Sequence, residues 1–264
     1  MLTSPPAFEA ILAGQRTLAI LPTYNESENL GPLLAELRTR CPALSILVVD
    51  DASPDGTGAL ADEIAGADPA VQVLHRIGKR GLGSAYIDGF RWALAHDFDH
   101  VVEMDADFSH RPQDLPSLLR AAVDHDLVIG SRNIPGGAVV GWSRLRQLIS
   151  RGGSWYARML LGLAIRDCTS GFKCFSRYAL ESLDFEHVRS NGYGFQVEIN
   201  HACRRAGLRI TEVPIIFPER AHGKSKMSFD IVVEAALVVV KLKLGLYPVA
   251  ILSQEPRSTA SVSG

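Results

Sequence analysis

From Thr17 to Ile129, short apolar runs alternate with segments of helix length, and this rhythm constrains the fold more than any other feature. Thr17–Leu21, Ser45–Val49, Val71–His75, His100–Met104 and Leu127–Ile129 read as strands. Between them, Ser27–Arg40, Thr57–Ala65, Leu82–His96 and Leu115–Val123 read as helices. Strands separated by helices require right-handed crossovers, so the expectation is an α/β fold with a mostly parallel central sheet flanked by helices. A chain of 264 residues can bury one substantial core, and no linker justifies a cut within it.

The rhythm changes after Arg132. Ser143–Leu163 reads as a long helix interrupted at Gly152-Gly153, a costly pair in a helix interior. Phe195–Ala206 reads as a helix and Arg209–Val213 as a strand. The expected organisation is a flexible N-terminus over 1–16, a catalytic domain over 17–228, an apolar or amphipathic helix over 229–252 and a disordered tail over 253–264. Phe229–Leu252 carries Asp230, Glu234, Lys241 and Lys243, so a membrane-spanning helix is not expected there. An amphipathic helix lying on a bilayer and a helix packed on the core are both consistent with it.

Strand ends carry the chemistry. Asp105-Ala106-Asp107 follows directly on His100–Met104, and carboxylates at i and i+2 where a strand ends project to the same side. Hard divalent cations are commonly held by one or two carboxylates, with substrate phosphates completing the shell. The first strand runs into Pro22-Thr23-Tyr24-Asn25-Glu26, and the second into Val49-Asp50-Asp51-Ala52-Ser53-Pro54-Asp55. These residues would serve as helix caps and turns in any case. Three acid-bearing strand ends converging on one crevice favour a ligand site at the carboxyl edge of the sheet.

Charge adds the opposite sign nearby. The formal net charge is −2, which gives no hint of nucleic-acid binding. Yet Ser131 to Ile165 contains no Asp or Glu while holding Arg132, Arg144, Arg146, Arg151 and Arg158, so an anionic group is expected to meet this stretch. Arg144, Arg151 and Arg158, spaced by seven, share one helix face and read as a solvated stripe or an anionic lipid contact. Four cysteines without a C-x-x-C pair read as buried free thiols in a reducing compartment, and no secretion signal is expected.

The motifs P-T-Y-N-E at 22–26, V-V-D-D-x-S-P-D-G-T at 48–57, G-x-x-x-A-Y-x-x-G at 81–89, M-D-A-D-F-S-H at 104–110 and G-S-R at 130–132 resemble family 2 glycosyltransferases of GT-A fold. With G-W-S at 141–143, S-R-G at 150–152, T-S-G-F-K at 169–173, G-Y-G-F-Q-V-E at 192–198 and E-R-x-H-G-x-S-K at 219–226, the set resembles the dolichol-phosphate (polyprenol-phosphate) mannose synthases. That resemblance implies single, metal-dependent, inverting transfer of mannose from GDP-mannose to a polyprenyl or dolichyl phosphate. It implies Pro22, Tyr24, Glu26, Val49 and Asp51 at the guanine nucleotide, and Asp105, Ala106 and Asp107 as its D-A-D motif. Asp107, with a contact from Ser109, is implied to hold Mg²⁺ or Mn²⁺. Arg132 and Arg146, with Ser150 nearby, resemble the acceptor-phosphate grip, and Arg220 and Lys226 the basic pair over the donor diphosphate. Glu198 is expected to orient the sugar or serve the fold, while His110 and His222 either brace loops or touch substrate.

The implied setting is the cytoplasm, peripherally on the cytoplasmic face of a membrane, with a possible membrane-anchoring partner protein. No Q-x-x-R-W signature of processive polysaccharide synthases is present, which favours single transfer. UDP-glucose in place of GDP-mannose is the nearest alternative, and a non-catalytic nucleotide-sugar-binding subunit is one of another class. A nucleotidyltransferase would need a Gly-rich basic loop where Thr23-Tyr24-Asn25-Glu26 stands.

Overall fold

The computed structural model describes residues 14–219 and 229–252. The first half follows the expected alternation: β1 (Thr17–Thr23), α1 (Ser27–Arg40), β2 (Ser45–Asp50), α2 (Thr57–Ala67), β3 (Val71–His75), α3 (Leu82–Ala95), β4 (His100–Glu103), α4 (Leu115–Ala122) and β5 (Leu127–Ser131). The second half holds β6 (Ala138–Val139), α5 (Arg144–Leu161), β7 (Lys173–Ser176), α6 (Arg177–Glu181), α7 (Gly192–Arg205), β8 (Ile210–Pro214), β9 (Ile216–Phe217) and α8 (Phe229–Lys243).

Seven strands form one sheet in the order β3-β2-β1-β4-β7-β5-β8, with β6 and β9 in a small ribbon beside it. Pairing is parallel except at β7, which runs antiparallel to both β4 and β5. Both faces of the sheet are covered. Along β1, Leu18 and Ile20 join one core with α3, α5, α7 and α8, while Ala19 and Leu21 join the other with α1 and α4. Burial on both sides is why these strands are continuous apolar runs rather than alternating ones.

Strand β7 was not expected, because it opens on a charged residue. Lys173 is nevertheless fully buried opposite Glu103 in the β4–β7 register. Helix α5 is also continuous through Gly152-Gly153, against the expected interruption. Ser143 caps its start by accepting from Arg146 N (3.3 Å), Gly162 ends it at φ 65°, and Ser154, Ala157 and Leu161 anchor its inner face. These ends and contacts offset the propensity cost of two glycines, about 1 kcal/mol each.

The expected terminal boundaries also move. Arg16, assigned to the flexible N-terminus, donates its backbone N–H to Asp99 (2.7 Å) and its guanidinium to His96 O (2.8 Å). Residues 1–13 of that segment and the tail at 253–264 lie outside the described residues. The expected helix over 229–252 stops at Lys243; the chain then turns at Gly245 (φ 68°), and Ile251 bridges back to Leu183. Helix α8 packs on the core through Val238, Val239 and Leu242. Among the described residues no helix is long and apolar enough to cross a membrane. All four cysteines are free and buried, and burial pushes Cys41 up to about 11 and Cys168, Cys174 and Cys203 up to about 12.

Candidate active site

The carboxyl ends of β1, β2 and β4 open into one cavity of about 300 Å³, closed on its far side by Arg132, Trp142, Arg146 and Phe217. Of the residues expected at the site, Pro22, Tyr24, Glu26, Asp51, Asp105, Ala106, Asp107, Arg132 and Arg146 line it.

The strand-end wall is built from tight turns. Asp50 accepts from Thr23 Oγ1 (3.0 Å), Ser53 N (3.1 Å) and Ser53 Oγ (2.6 Å), joining the β1 and β2 ends. Asp55 accepts from Thr57 N, Thr57 Oγ1 and Ser27 N, tying the α1 start to the α2 start. Burial works against ionisation of Asp55, but these bonds from Thr57 and Ser27 outweigh it and hold its pKa down at about 2. Non-glycine residues with positive φ are Asn25, Ala52, Asp97 and Phe108 among the described residues, and three of these stand in the loops of this wall. Backbone held in that region costs of order 1–3 kcal/mol per residue and clusters at functional sites.

Asp51 reaches the cavity with its oxygens partly engaged. Oδ2 accepts from Arg80 N (3.2 Å) and Gly81 N (3.0 Å), and Oδ1 accepts from buried Arg76. Arg76 also donates to Asp88 (3.0 Å), so it pins the loop before α3 beneath the site. Lys79 Nζ lies 3.8 Å over the Tyr24 ring, a cation–π contact at the cavity rim.

The D-A-D acids are held from below. Asp107 Oδ1 accepts from Ser109 N (3.0 Å) and Ser109 Oγ (2.5 Å). Asp105 accepts from Tyr86 Oη (3.3 Å), and its N–H donates to His110 Nδ1 (2.9 Å). Accepting at Nδ1 leaves the proton of the neutral ring on Nε2. His110 stacks on Phe172 with centroids 5.0 Å apart, so it braces the motif and also lines the cavity. Tyr86 is fully buried against Phe195; burial first, then the Asp105 charge, pushes its hydroxyl well above the ordinary tyrosine value. It therefore stays a hydrogen-bond donor.

No group of three or more ligating His, Cys, Asp or Glu side chains occurs among the described residues. Two adjacent carboxylates at a phosphate-sized cavity fit a cation whose shell the substrate completes, which is the Mg²⁺ habit. Asp107, oriented by Ser109, would hold it.

The opposite wall is cationic and aromatic. Arg132 is buried, donating Nε to Asp167 Oδ2 (2.7 Å) and Nη2 to Asp167 Oδ1 (2.6 Å) and Thr169 Oγ1 (2.9 Å). Burial opposes ionisation of both partners, but each charge holds the other: Arg132 is raised and Asp167 lowered. Arg132, expected to grip the acceptor phosphate, lines the cavity while its Nε and Nη2 are committed to a carboxylate, with Nη1 outside these bonds. Arg146 stacks 3.7 Å over Trp142, with Glu219 3.7 Å away.

Three expected residues stand off the cavity wall. Val49 points into the core between β2 and α3 and is fully buried. Ser109 acts on Asp107 rather than lining the cavity. Ser150, one turn beyond Arg146 on α5, does not line it either. Arg220, Lys226 and His222 lie outside the described residues. Glu198 accepts from Arg189 N (3.1 Å) and Ser190 N (2.9 Å), so it fixes the turn into α7.

Sequence reading gave no role to Arg76, Lys79, Tyr86, Trp142, Asp167, Lys173 or Gln196. Tyr86, Trp142, Lys173 and Gln196 stood inside quoted motifs, which was the available signal. Lys173 donates to the Gln196 side-chain carbonyl, and Gln196 lines the cavity. Burial pushes Glu103, opposite Lys173, up to about 7 and Lys173 down.

Residues 18–184 match Glycosyl transferase family 2. An undecaprenyl-phosphate mannosyltransferase of Micrococcus luteus is 52% identical over 86% of this chain and 93% of its own length. A polyprenol monophosphomannose synthase of Mycolicibacterium smegmatis is 48% identical over 86% of each chain. The crystal structure of glucosyl-3-phosphoglycerate synthase from Mycobacterium tuberculosis with Mn²⁺ and UDP-glucose superposes with a TM-score of 0.65 at 23% identity, covering 90% of this chain and 82% of that one, which bears on the fold alone. Fold, strand-end acids and sequence agree that the chain belongs to glycosyl transferase family 2.

Proposed function

We propose that the protein transfers one mannose from GDP-mannose to a polyprenyl phosphate with inversion, giving a polyprenyl-phosphate β-mannose and GDP. The observation that carries this reading is one cavity with the D-A-D acids on one wall and Arg132 and Arg146 on the other. Relatives at 52% and 48% identity are a lipid-phosphate mannosyltransferase and a polyprenol monophosphomannose synthase.

The reaction suits these residues. A phosphate monoester has a second pKa of roughly 6 and is largely dianionic near neutral pH, so its oxygen attacks the anomeric carbon without a side-chain base. The bond from that carbon to the diphosphate breaks, and its electron pair leaves with GDP. A divalent cation, Mg²⁺ or Mn²⁺, would supply positive charge to the departing diphosphate. Asp107, steadied by Ser109, would hold that charge, and Asp105, steadied by Tyr86 and His110, would hold the ribose side of the donor. Arg146, flat on Trp142, would face the acceptor phosphate, with Arg132 setting the floor behind it. Arg220 and Lys226 are proposed to close over the diphosphate. The enzyme's main task is then alignment and charge placement. The lipid acceptor implies work at the cytoplasmic face of a membrane as a peripheral protein, with or without an anchoring partner.

The test mixes purified protein with Mg²⁺ or Mn²⁺, a short polyprenyl phosphate and radiolabelled GDP-mannose, with UDP-glucose in parallel, and counts label extracted into organic solvent. Label from GDP-mannose alone is expected. Label only from UDP-glucose would replace the donor, and none from either would sink the reaction.

A further inference from the structure

Helix α5 turns an apolar face outward. Leu145, Leu148, Trp155 and Met159 are 67%, 70%, 62% and 64% exposed, and their spacing of three, seven and four residues puts them on one stripe. The buried residues Ser154, Ala157 and Leu161 occupy the opposite side. A row of large exposed apolar side chains on one helix face marks an interaction surface.

Beside the stripe lies a cleft lined by Arg132, Arg151, Trp155, Arg158 and Arg166. Arg151, Arg158 and Arg166 pair with no carboxylate among the described residues, and Arg158 Nε is buried without a partner. Arg132 lines both this cleft and the main cavity, so the two open side by side. Gly152, in the middle of the stripe, has open space where a Cβ would stand, as has Gly153. Internal packing therefore does not require either glycine. On the outer face they let the covering surface approach the helix backbone.

We propose that this face docks the protein on an anionic bilayer, with the Leu145–Met159 stripe entering the acyl boundary and the arginines of the cleft meeting headgroup phosphates. Charge complementarity decides for this occupant over a second copy of the chain, because cations flank the stripe and residues 131–165 contain no acid to offer in return. The choice of a bilayer over another protein also rests on the lipid-linked acceptor proposed above. Docking by α5 brings the mouth beside Arg146 to headgroup level.

Cosedimentation with phosphatidylcholine vesicles, with and without phosphatidylglycerol, tests this without any turnover. Partitioning is expected onto the anionic vesicles. Leu148→Glu and Trp155→Glu, both on exposed positions, are each expected to reduce it at least about tenfold. Arg151→Gln and Arg158→Gln are expected to reduce it about fivefold each, and this loss should fade at high salt. Trp155→Phe should keep binding while abolishing the blue shift of tryptophan fluorescence on vesicle addition. No partitioning, partitioning indifferent to these substitutions, or a dimer that Trp155→Glu dissociates would each overturn the proposal. Partitioning that follows α5 in a protein inactive with every donor would keep the docking surface while discarding the proposed reaction.

Discussion

On the wall formed by β1, β2 and β4, Asp107, Asp55 and Asp50 each accept from a partner close in sequence, Ser109, Thr57 and Ser53, beside the bonds that Thr23 and Ser27 add across the strand ends. The facing wall holds Arg132 through distant partners. Asp167 lies 35 residues from Arg132, and Phe217, across which that guanidinium also lies, arrives from β9. The first wall draws on the turn that each strand makes into its own helix, and on bonds between neighbouring strand ends. The second exists only once the sheet has closed around the antiparallel β7. A change on the first wall should therefore damage chemistry with little effect on folding, and a change on the second should damage both.

Asp107→Asn is the sharpest test of the first half of that contrast. It leaves an oxygen for the Ser109 donors but removes the charge, so kcat should fall at least about a thousandfold while the melting curve stays near wild type. Normal turnover with normal metal dependence would end the metal assignment. Asp167→Asn tests the other wall. Leaving Arg132 buried without its counterion should cost about 3–5 kcal/mol in denaturant unfolding, in addition to lost activity. A stability within about 1 kcal/mol of wild type would show that the two walls are not built differently.

Two smaller effects sharpen the comparison. Asp55 has a native pKa held down at about 2 against an ordinary 3.8. Its stabilising contribution is thus complete above the ordinary value and lost as pH falls toward about 2. The gap in urea midpoint between wild type and Asp55→Asn should shrink across that window; for so exposed a group it amounts to about 1 kcal/mol at most. A gap unchanged with pH would mean that the Ser27 and Thr57 bonds do not depend on charge. Gly153→Ala should raise stability by about 0.5–1 kcal/mol, because a Cβ there meets open space in a continuous helix. A loss would reveal a contact at that position in solution.

The same contrast explains what could be read from the sequence. Strand ends that become helix starts leave local signatures, so β1 to β5 and the acids of the first wall were legible, although β1 and β5 run on to Thr23 and Ser131. Val49 was misplaced because a motif names neighbours together while strand alternation sends one of them into the core. The Arg132–Asp167 pair and β7 with its buried Lys173 depend on long-range pairing that no local pattern announces. The outward stripe of α5 was hidden differently. Its arginines read as a solvated stripe or an anionic lipid contact, and only the packing of the helix reveals which side is left uncovered.

Calorimetric titration of GDP-mannose into wild type, Asp107→Asn and Arg146→Ala, each with and without Mn²⁺, tests the division of labour between the walls most directly. The account predicts donor binding strengthened by Mn²⁺ in wild type and in Arg146→Ala, and no such strengthening in Asp107→Asn. Arg146→Ala should then show its defect only in the KM for the lipid acceptor, raised about tenfold or more. Donor binding weakened equally by both substitutions would contradict it.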